Sequence, residues 1–382
     1  MTDGYLDHAT TSSPKAPGVA EAVAASLREP YSSPGRSAHG AARAADAVVE
    51  SARQAVTQLC GTHDPARVVF THGATHALNL AIKGLLRTGD HAIATCFDHN
   101  SVLRPLASLS REGCLVSIAR SPRPDAELIA AVLREVRPET RLIVLPHASN
   151  VCGAVLPLTP GLDEVRAAGV LILLDAAQTV GTLPLDLSAL PVDLVAFGAH
   201  KGLLGPPGVG CLLFNRPGLE LRPLLDGGTG HDSAAALPSR TAPIAYEAGT
   251  ANLPAIAGLL AALTFVRSPE HTLARQTASR LHRECAKRLL RMPHVTVYGD
   301  PLGVPTLPVI AFNVAGRLPE QVAEALDEKF DLQTRSGLHC APLAHHALGS
   351  GQYGSVRAMF GLGNDERTLT RFLEAMSTLR RS

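Results

Sequence analysis

"LVAFGAHKGLLGPPGVG", residues 194–210, decides how the rest of the chain is read. Leu194 to Phe197 are apolar without interruption, and the run stops at Gly198. Apolar side chains at successive positions are what a strand covered on both faces requires. His200 and Lys201 follow at once, ahead of a turn rich in glycine and proline. Only five of the 35 basic Lys and Arg residues are lysines, so a lysine where a strand ends asks for a reason.

Moving outward, the same pattern recurs. "ARVVFTHGATHALNLAIKGLL" predicts a strand, a turn at His72-Gly73 and a helix from about Thr75. "DHAIATCFDHNS" predicts a strand ending near Cys96, "CLVSIARS" another, and "TRLIVLPHASN" one running to about Pro146. "VLILLDAAQ" and "VDLVAFGAH" add two more, with helices in "DAELIAAVLREV" and "GLDEVRAAG" between them. Strands alternating with helices across residues 65–215 point to a largely parallel α/β sheet. Ligands bind such sheets beyond the carboxyl ends of the strands. Five of those ends carry polar groups: His72 to Thr75, Asp98-His99, Ser149-Asn150, Asp175 with Gln178, and His200-Lys201. One polar strand end is unremarkable, whereas five suggest a single site.

After residue 255 the pattern changes. "AIAGLLAALTFV" opens a helical stretch continuing to about Leu290, followed by strands in "HVTVYG" and "LPVIAFNVAG" and two further helices. The expected division is a large α/β domain over 20–255 and a smaller α+β domain made of 1–19 and 256–382.

Composition narrows the function. The formal net charge is +1 with no long charge run, which argues against nucleic acid as the main partner. No window has the roughly 18 apolar residues of a membrane helix, and "MTDGYLDHATTSSP" lacks the form of a signal peptide, so cytoplasm is the expected compartment. The seven cysteines are scattered without a CxxC pair, which suggests neither a disulfide framework nor a zinc site. The adjacent His345 and His346 are expected to form a solvated turn rather than a metal site.

Each strand end has a bland and a chemical reading. Lys201 is either a loop lysine or phosphate contact, or an amine of lowered pKa able to form a Schiff base. Asp175 is either a structural ion pair or cap, or the carboxylate that keeps a cofactor's ring nitrogen protonated. Gln178 is either a turn residue or a donor to the same cofactor. "THGATH" has the make-up of an anion cup at a helix N-terminus, but not the spacing of the ATP or dinucleotide glycine loops. His99 is either a satisfied structural histidine or a ring that stacks on a cofactor and relays protons.

Together, "THGATHALN", "DHNSVLRPL", "ASNVCGAV", "LLDAAQTVG", "FGAHKGLLGPPGVG", "YEAGTANLPAI", "RSGLHCAPLAHHALG" and "SVRAMFGLGN" resemble the class V aminotransferase family of pyridoxal-phosphate (PLP) enzymes, and within it the cysteine desulfurase and selenocysteine lyase branch, second type. The resemblance runs from about residue 5 to 365. It implies fold type I, the aspartate aminotransferase-like PLP-dependent transferase fold, and a homodimer. It implies that Lys201 is the Schiff-base lysine, Asp175 the partner of the pyridine nitrogen, Gln178 a contact of the phenolic oxygen and His99 the stacked ring. Ala74, Thr75 and His200 would hold the phosphate, and Thr250 would reach the phosphate of the neighbouring subunit. Asn150 and Arg357 would bind the substrate carboxylate, with His39 and Arg335 also at the active site. Gly198 departs from the family, which has Ser or Thr there.

Cys340 decides the reaction. It follows "RSGLH", a basic setting that favours the thiolate over a free thiol of pKa about 8.5, and Gly337 and Pro342 suggest an accessible loop. The resemblance then implies a cysteine desulfurase that converts L-cysteine to L-alanine, leaves sulfur on Cys340 as a persulfide and passes it to an acceptor. Selenocysteine lyase acting on L-selenocysteine, a pathway-specific C–S lyase, another class V aminotransferase or epimerase, and a non-catalytic scaffold are the competing readings.

Overall fold

In the computed structural model, residues 3–29, 32–158, 161–228, 241–303 and 305–379 are described. Seven strands form the larger sheet: β1 Val68–Thr71, β2 His91–Thr95, β3 Leu115–Ala119, β4 Thr140–Pro146, β5 Leu171–Asp175, β6 Leu194–Gly198 and β7 Gly210–Phe214. Their order is β1-β7-β6-β5-β4-β2-β3. From β6 to β3 every neighbouring pair is parallel, while β7 runs antiparallel to both β6 and β1. The parallel, doubly covered sheet expected from the apolar runs is therefore present, with one reversed strand that their pattern did not announce. That reversal makes residues 199–209 the link between two antiparallel neighbours, and Lys201 stands in it.

Strand side chains alternate between faces, so each strand feeds two cores. Ile143, Leu145, Ile172, Leu174, Val195 and Phe197 pack on one side with α2 (Gly40–Leu59), α5 (Ala126–Arg134) and α7 (Leu253–Val266). Leu142, Val144, Leu171, Leu173, Leu194 and Ala196 pack on the other with α3 (Ala74–Leu85) and α4 (Asn100–Arg111). Buried Asp193 stitches the sheet by accepting Ile172 N at 2.8 Å and Arg166 Nε at 2.8 Å. Arg166 belongs to the short helix α6 (Leu162–Ala167), and α1 (Val19–Arg28) lies nearer the N-terminus.

The smaller sheet is antiparallel, in the order β10-β11-β9-β8, from β8 Val295–Tyr298, β9 Val309–Val314, β10 Arg335–Gly337 and β11 Ser355–Met359. Its core joins α8 (Pro269–Leu289), α9 (Pro319–Phe330) and α11 (Glu366–Thr378) to Ile310, Phe312, Val356 and Ala358. Leu6 is buried in that same core, and Tyr5 and Asp7 form single bridges to Gln333 and Met359.

Two readings need correction. The helical stretch after residue 255 is two helices, broken at Arg267-Ser268: Ser268 accepts His271 N with its side chain, and Pro269 occupies the first helical turn, where its missing N–H costs nothing. α7 also packs with the large-sheet core through Ile256, Leu259 and Leu263, so the change of core falls after Val266 rather than at 255. Nor do His345 and His346 form a solvated turn. Both lie in α10 (Pro342–Leu348); His345 is fully buried, with Nδ1 at 2.6 Å from Ser350 Oγ, and only His346 is exposed.

Candidate active site

The carboxyl ends of β2, β4, β5 and β6 open into one cavity of about 510 Å³. Ala74, Thr75, His99, Asn150, Asp175, Gln178, Gly198, His200 and Lys201 all line it, so the polar strand ends converge as expected. The turn before α3 needs glycine: Gly73 has φ 145° and ψ 177°, a combination essentially closed to other residues. It delivers the free N–H groups of α3's first turn, beginning at Ala74, to the cavity.

Lys201 is set by the loop behind it. A Cβ on Gly202 would lie 2.4 Å from Thr182 Oγ1 and 2.6 Å from Val180 O, so only glycine lets the loop seat there. Burial pulls the Lys201 ammonium down to about 8, against the attraction of Asp175 and with the repulsion of Arg357 and Arg335. An amine so placed is far more often neutral than a solvated lysine. Asp175 moves the opposite way: burial raises its pKa, countered by the Ala177 N–H at 3.0 Å and by Lys201. A carboxylate held in these surroundings stabilises an incoming cation.

His99 caps α4. Its Nδ1 accepts Ser101 N at 3.0 Å, which places the proton of the neutral ring on Nε2. Ser101 Oγ lies 2.9 Å from that same Nδ1 and 2.8 Å from Thr75 Oγ1, tying the histidine to the α3 turn. Burial first, then Lys201, Arg335, Arg357 and Arg104, lowers its pKa to about 4. His200 is likewise lowered to about 4, by burial and then by Lys201 and Lys15. Gln178 Nε2 donates to Ala9 O at 3.1 Å.

Cys340 sits on a loop tied to the cavity wall. Asn100 N, next to His99, donates to Cys340 O at 2.7 Å, and Asn150 Nδ2 donates to His339 O at 2.7 Å. Arg335 Nη2 lies 3.5 Å from the sulfur. His339 (φ 47°) and Cys340 (φ 58°) are consecutive left-handed residues, each at a cost of about 1–2 kcal/mol. The other six cysteines are buried and Cys340 alone of the seven is not.

Arg357 is only 1 % exposed. It reaches Asp7 Oδ1 at 3.1 Å, Thr10 Oγ1 at 2.8 Å and Asn150 O at 2.8 Å, so its partner is not Asp365 or Glu366 near it in sequence. Losing Asp7 would leave a buried guanidinium uncompensated, a cost on the order of 3–5 kcal/mol. Arg335 Nη1 shares Thr10 Oγ1 at 3.0 Å.

Cys340, Arg335 and Arg357 stand behind the cavity lining, tied to it through Asn100, Asn150 and Thr10, whereas His39 and Thr250 stand apart from it. His39 is exposed and caps α2, its Nδ1 accepting Ala42 N at 3.3 Å. Thr250 is exposed in a second cavity that shares His72, His76 and Gly208 with the first. Conversely, sequence reading gave no role to Asp7, Thr10 or Lys15, although "YLDHATT" contains the first two. Thr11 Oγ1, Ser12 N and Oγ, and Lys15 Nζ all donate to His200 O, so the N-terminal segment clamps the residue beside Lys201. Among the described residues no group of His, Cys, Asp and Glu side chains is arranged to hold a metal, and no helix is long and apolar enough to cross a membrane.

A family model described as aminotransferase class-V matches residues 4–372. A probable cysteine desulfurase of Pseudomonas putida is 32 % identical, over 97 % of this chain and 92 % of its own. A probable cysteine desulfurase of Methanothermobacter thermautotrophicus is 30 % identical, over 93 % of this chain and 89 % of its own. The solved apo cysteine desulfurase of Thermococcus onnurineus superposes with a TM-score of 0.89 at 26 % identity, covering 98 % of this chain and 94 % of that one. One from Escherichia coli superposes with a TM-score of 0.87 at 26 % identity, covering 99 % and 94 %. With a mostly parallel seven-stranded sheet, a smaller antiparallel one and a match along nearly its whole length, the chain belongs to the class-V aminotransferase family and has the fold-type-I architecture of PLP-dependent transferases.

Proposed function

We propose that the protein is a PLP-dependent cysteine desulfurase, which converts L-cysteine to L-alanine and takes the sulfur onto Cys340 as a persulfide. The observation that carries this reading is Cys340 itself: the one cysteine not buried, with a guanidinium on its sulfur, on a loop hydrogen-bonded to the walls of the cavity that holds Lys201.

The cavity fits the cofactor. Asp175 offers a desolvated carboxylate to a protonated ring nitrogen, and the α3 turn offers N–H groups to a phosphate. Asn150 Oδ1 is buried with no partner among the described residues, an acceptor in need of a donor. In this reading Lys201 holds the cofactor covalently, Asp175 and Gln178 hold its ring, His99 stacks on it, and Ala74, Thr75 and His200 hold its phosphate. When bound, PLP supplies an electron sink conjugated to the substrate Cα.

The protein's own groups do the rest. Arg357 orients the substrate carboxylate with its guanidinium and Asn150 with the second N–H of Nδ2, the first being given to the His339 carbonyl, with Arg335 beside them. Lys201, already poised near neutrality, takes the Cα proton. The Cys340 thiolate attacks the substrate sulfur: the S–S bond forms, the Cβ–S bond breaks, and its electron pair stays with Cβ, which gains a proton on the way to alanine. His99, with its proton on Nε2, is placed to move protons to and from the departing amine or incoming thiol. A sulfur-acceptor partner then empties Cys340. The reading also carries a homodimer in which Thr250 serves the neighbouring subunit's phosphate, and a cytoplasmic setting.

Incubating the loaded enzyme with L-cysteine should give one alanine per sulfur transferred and add one sulfur atom to the peptide containing Cys340. Faster turnover of L-selenocysteine with no sulfur on Cys340 would move the assignment to a selenocysteine lyase.

Gly198 yields a second test. A Cβ there would meet His200 Cδ2 at 3.3 Å, tighter than an ordinary contact, and Ala74 N at 3.5 Å, so a serine fits beside the expected phosphate once the His200 ring gives by a few tenths of an ångström. One added hydrogen bond to a charged group stabilises by about 1.5–3 kcal/mol. Gly198→Ser is therefore expected to slow PLP release roughly tenfold or more, followed as loss of visible absorbance after dilution. Unchanged release would place the phosphate elsewhere.

A further inference from the structure

We infer that Asn150 is a positioning residue for Cys340, its side-chain amide acting as a latch on the strained cysteine loop; this deepens, and rests on, the reading of Cys340 as the sulfur acceptor. Two consecutive residues other than glycine, His339 and Cys340, are left-handed. A chain adopts such a conformation only where its surroundings over-determine it. Here both carbonyls are held: Cys340 O by Asn100 N, and His339 O by Asn150 Nδ2, each at 2.7 Å. The first bond is backbone to backbone, so the second is the one a side chain controls. Turning the Asn150 amide over would set Oδ1 against the His339 carbonyl, so the donor is fixed.

Asn150 is itself anchored. Its backbone oxygen accepts Arg357 Nη1 at 2.8 Å, it is only 8 % exposed, and it lines the Lys201 cavity. One residue thus spans the cavity and the nucleophile's loop. Without the latch, left-handed strain favours a loop that swings Cys340 away from the position its sulfur now takes beside Arg335.

Cys340 is the one cysteine not buried, so iodoacetamide reports on it selectively in the folded, PLP-loaded enzyme. Asn150→Ala is expected to raise its alkylation rate roughly 3- to 10-fold, the factor for one lost hydrogen bond, and to lower the rate of alanine formation at saturating L-cysteine. Asn150→Asp keeps the shape without the donor and should do the same. His339→Gly supplies the readout a general packing role would not move: glycine takes φ 47° freely, so in that background the gain from Asn150→Ala should shrink toward onefold. Wild-type alkylation rates in both Asn150 variants, with melting temperature and cofactor absorbance intact, would overturn the latch, as would an equal gain in both backgrounds. Alkylation needs no L-cysteine, so wild-type enzyme that forms no alanine would sink the desulfurase reading while leaving the latch measurable.

Discussion

Replacing Lys201 with alanine is expected to lower alanine formation from L-cysteine by roughly 10²- to 10⁴-fold, the range for a lost proton-transfer group. The side chain stands in the link between β6 and β7, where Gly202 lets the loop press against Val180 and Thr182. Burial holds its ammonium near 8, so a useful fraction is free amine around neutrality. Lys201→Arg is the sharper control. It keeps the charge beside Asp175 but stays protonated at all working pH values, so it can neither take a proton nor attack an aldehyde. Both variants should fail alike in the coupled assay for alanine. Borohydride reduction and peptide mapping of the wild type should mark position 201, and an unmarked Lys201 in loaded enzyme would end the proposal. An arginine variant with more than a tenth of wild-type activity would mean that charge, not proton transfer, is what position 201 contributes.

The second large effect is at Cys340. Cys340→Ala is expected to abolish persulfide formation and to reduce alanine formation from L-cysteine by at least about 100-fold, while PLP absorbance persists. The thiol is partly exposed and its hydrogen bond to Arg335 is long at 3.5 Å. Its loss should therefore shift stability by no more than about 0.5 kcal/mol, the usual range for a surface substitution. Activity and stability separate cleanly at this position. A variant that still makes alanine and releases free sulfide would identify a C–S lyase instead, with Cys340 a bystander.

Much of the fold was legible because a parallel sheet leaves a local record. Runs such as Leu171–Leu174 and Leu194–Phe197 are apolar at every position because both faces are covered, and they stop where side chains meet solvent or ligand. The convergence of His99, Asn150, Asp175 and Lys201 follows from that regularity, since parallel neighbours end at one edge. What the sequence withheld depends on contacts between distant segments. Nothing local distinguishes Arg357 as the partner of Asp7 rather than of the acids beside it. His39 as a helix cap and His345 as a buried hydrogen-bonded ring are choices made by tertiary packing. The Asn150 bond to the His339 carbonyl involves a main-chain atom, which no pattern of side chains records. The reversed β7 has the composition of its parallel neighbours and differs only in direction.

The bond between Asp7 and Arg357 joins groups 350 positions apart. A ribosome has released the first of them long before it makes the second. The nascent protein can therefore build its central sheet and cover both faces while the Asp7 carboxylate still waits for the guanidinium that will pair with it. If Lys201 holds the cofactor and Arg357 the substrate carboxylate, as proposed, a product ending before Arg357 would have its central sheet complete and still lack the group that receives an amino acid.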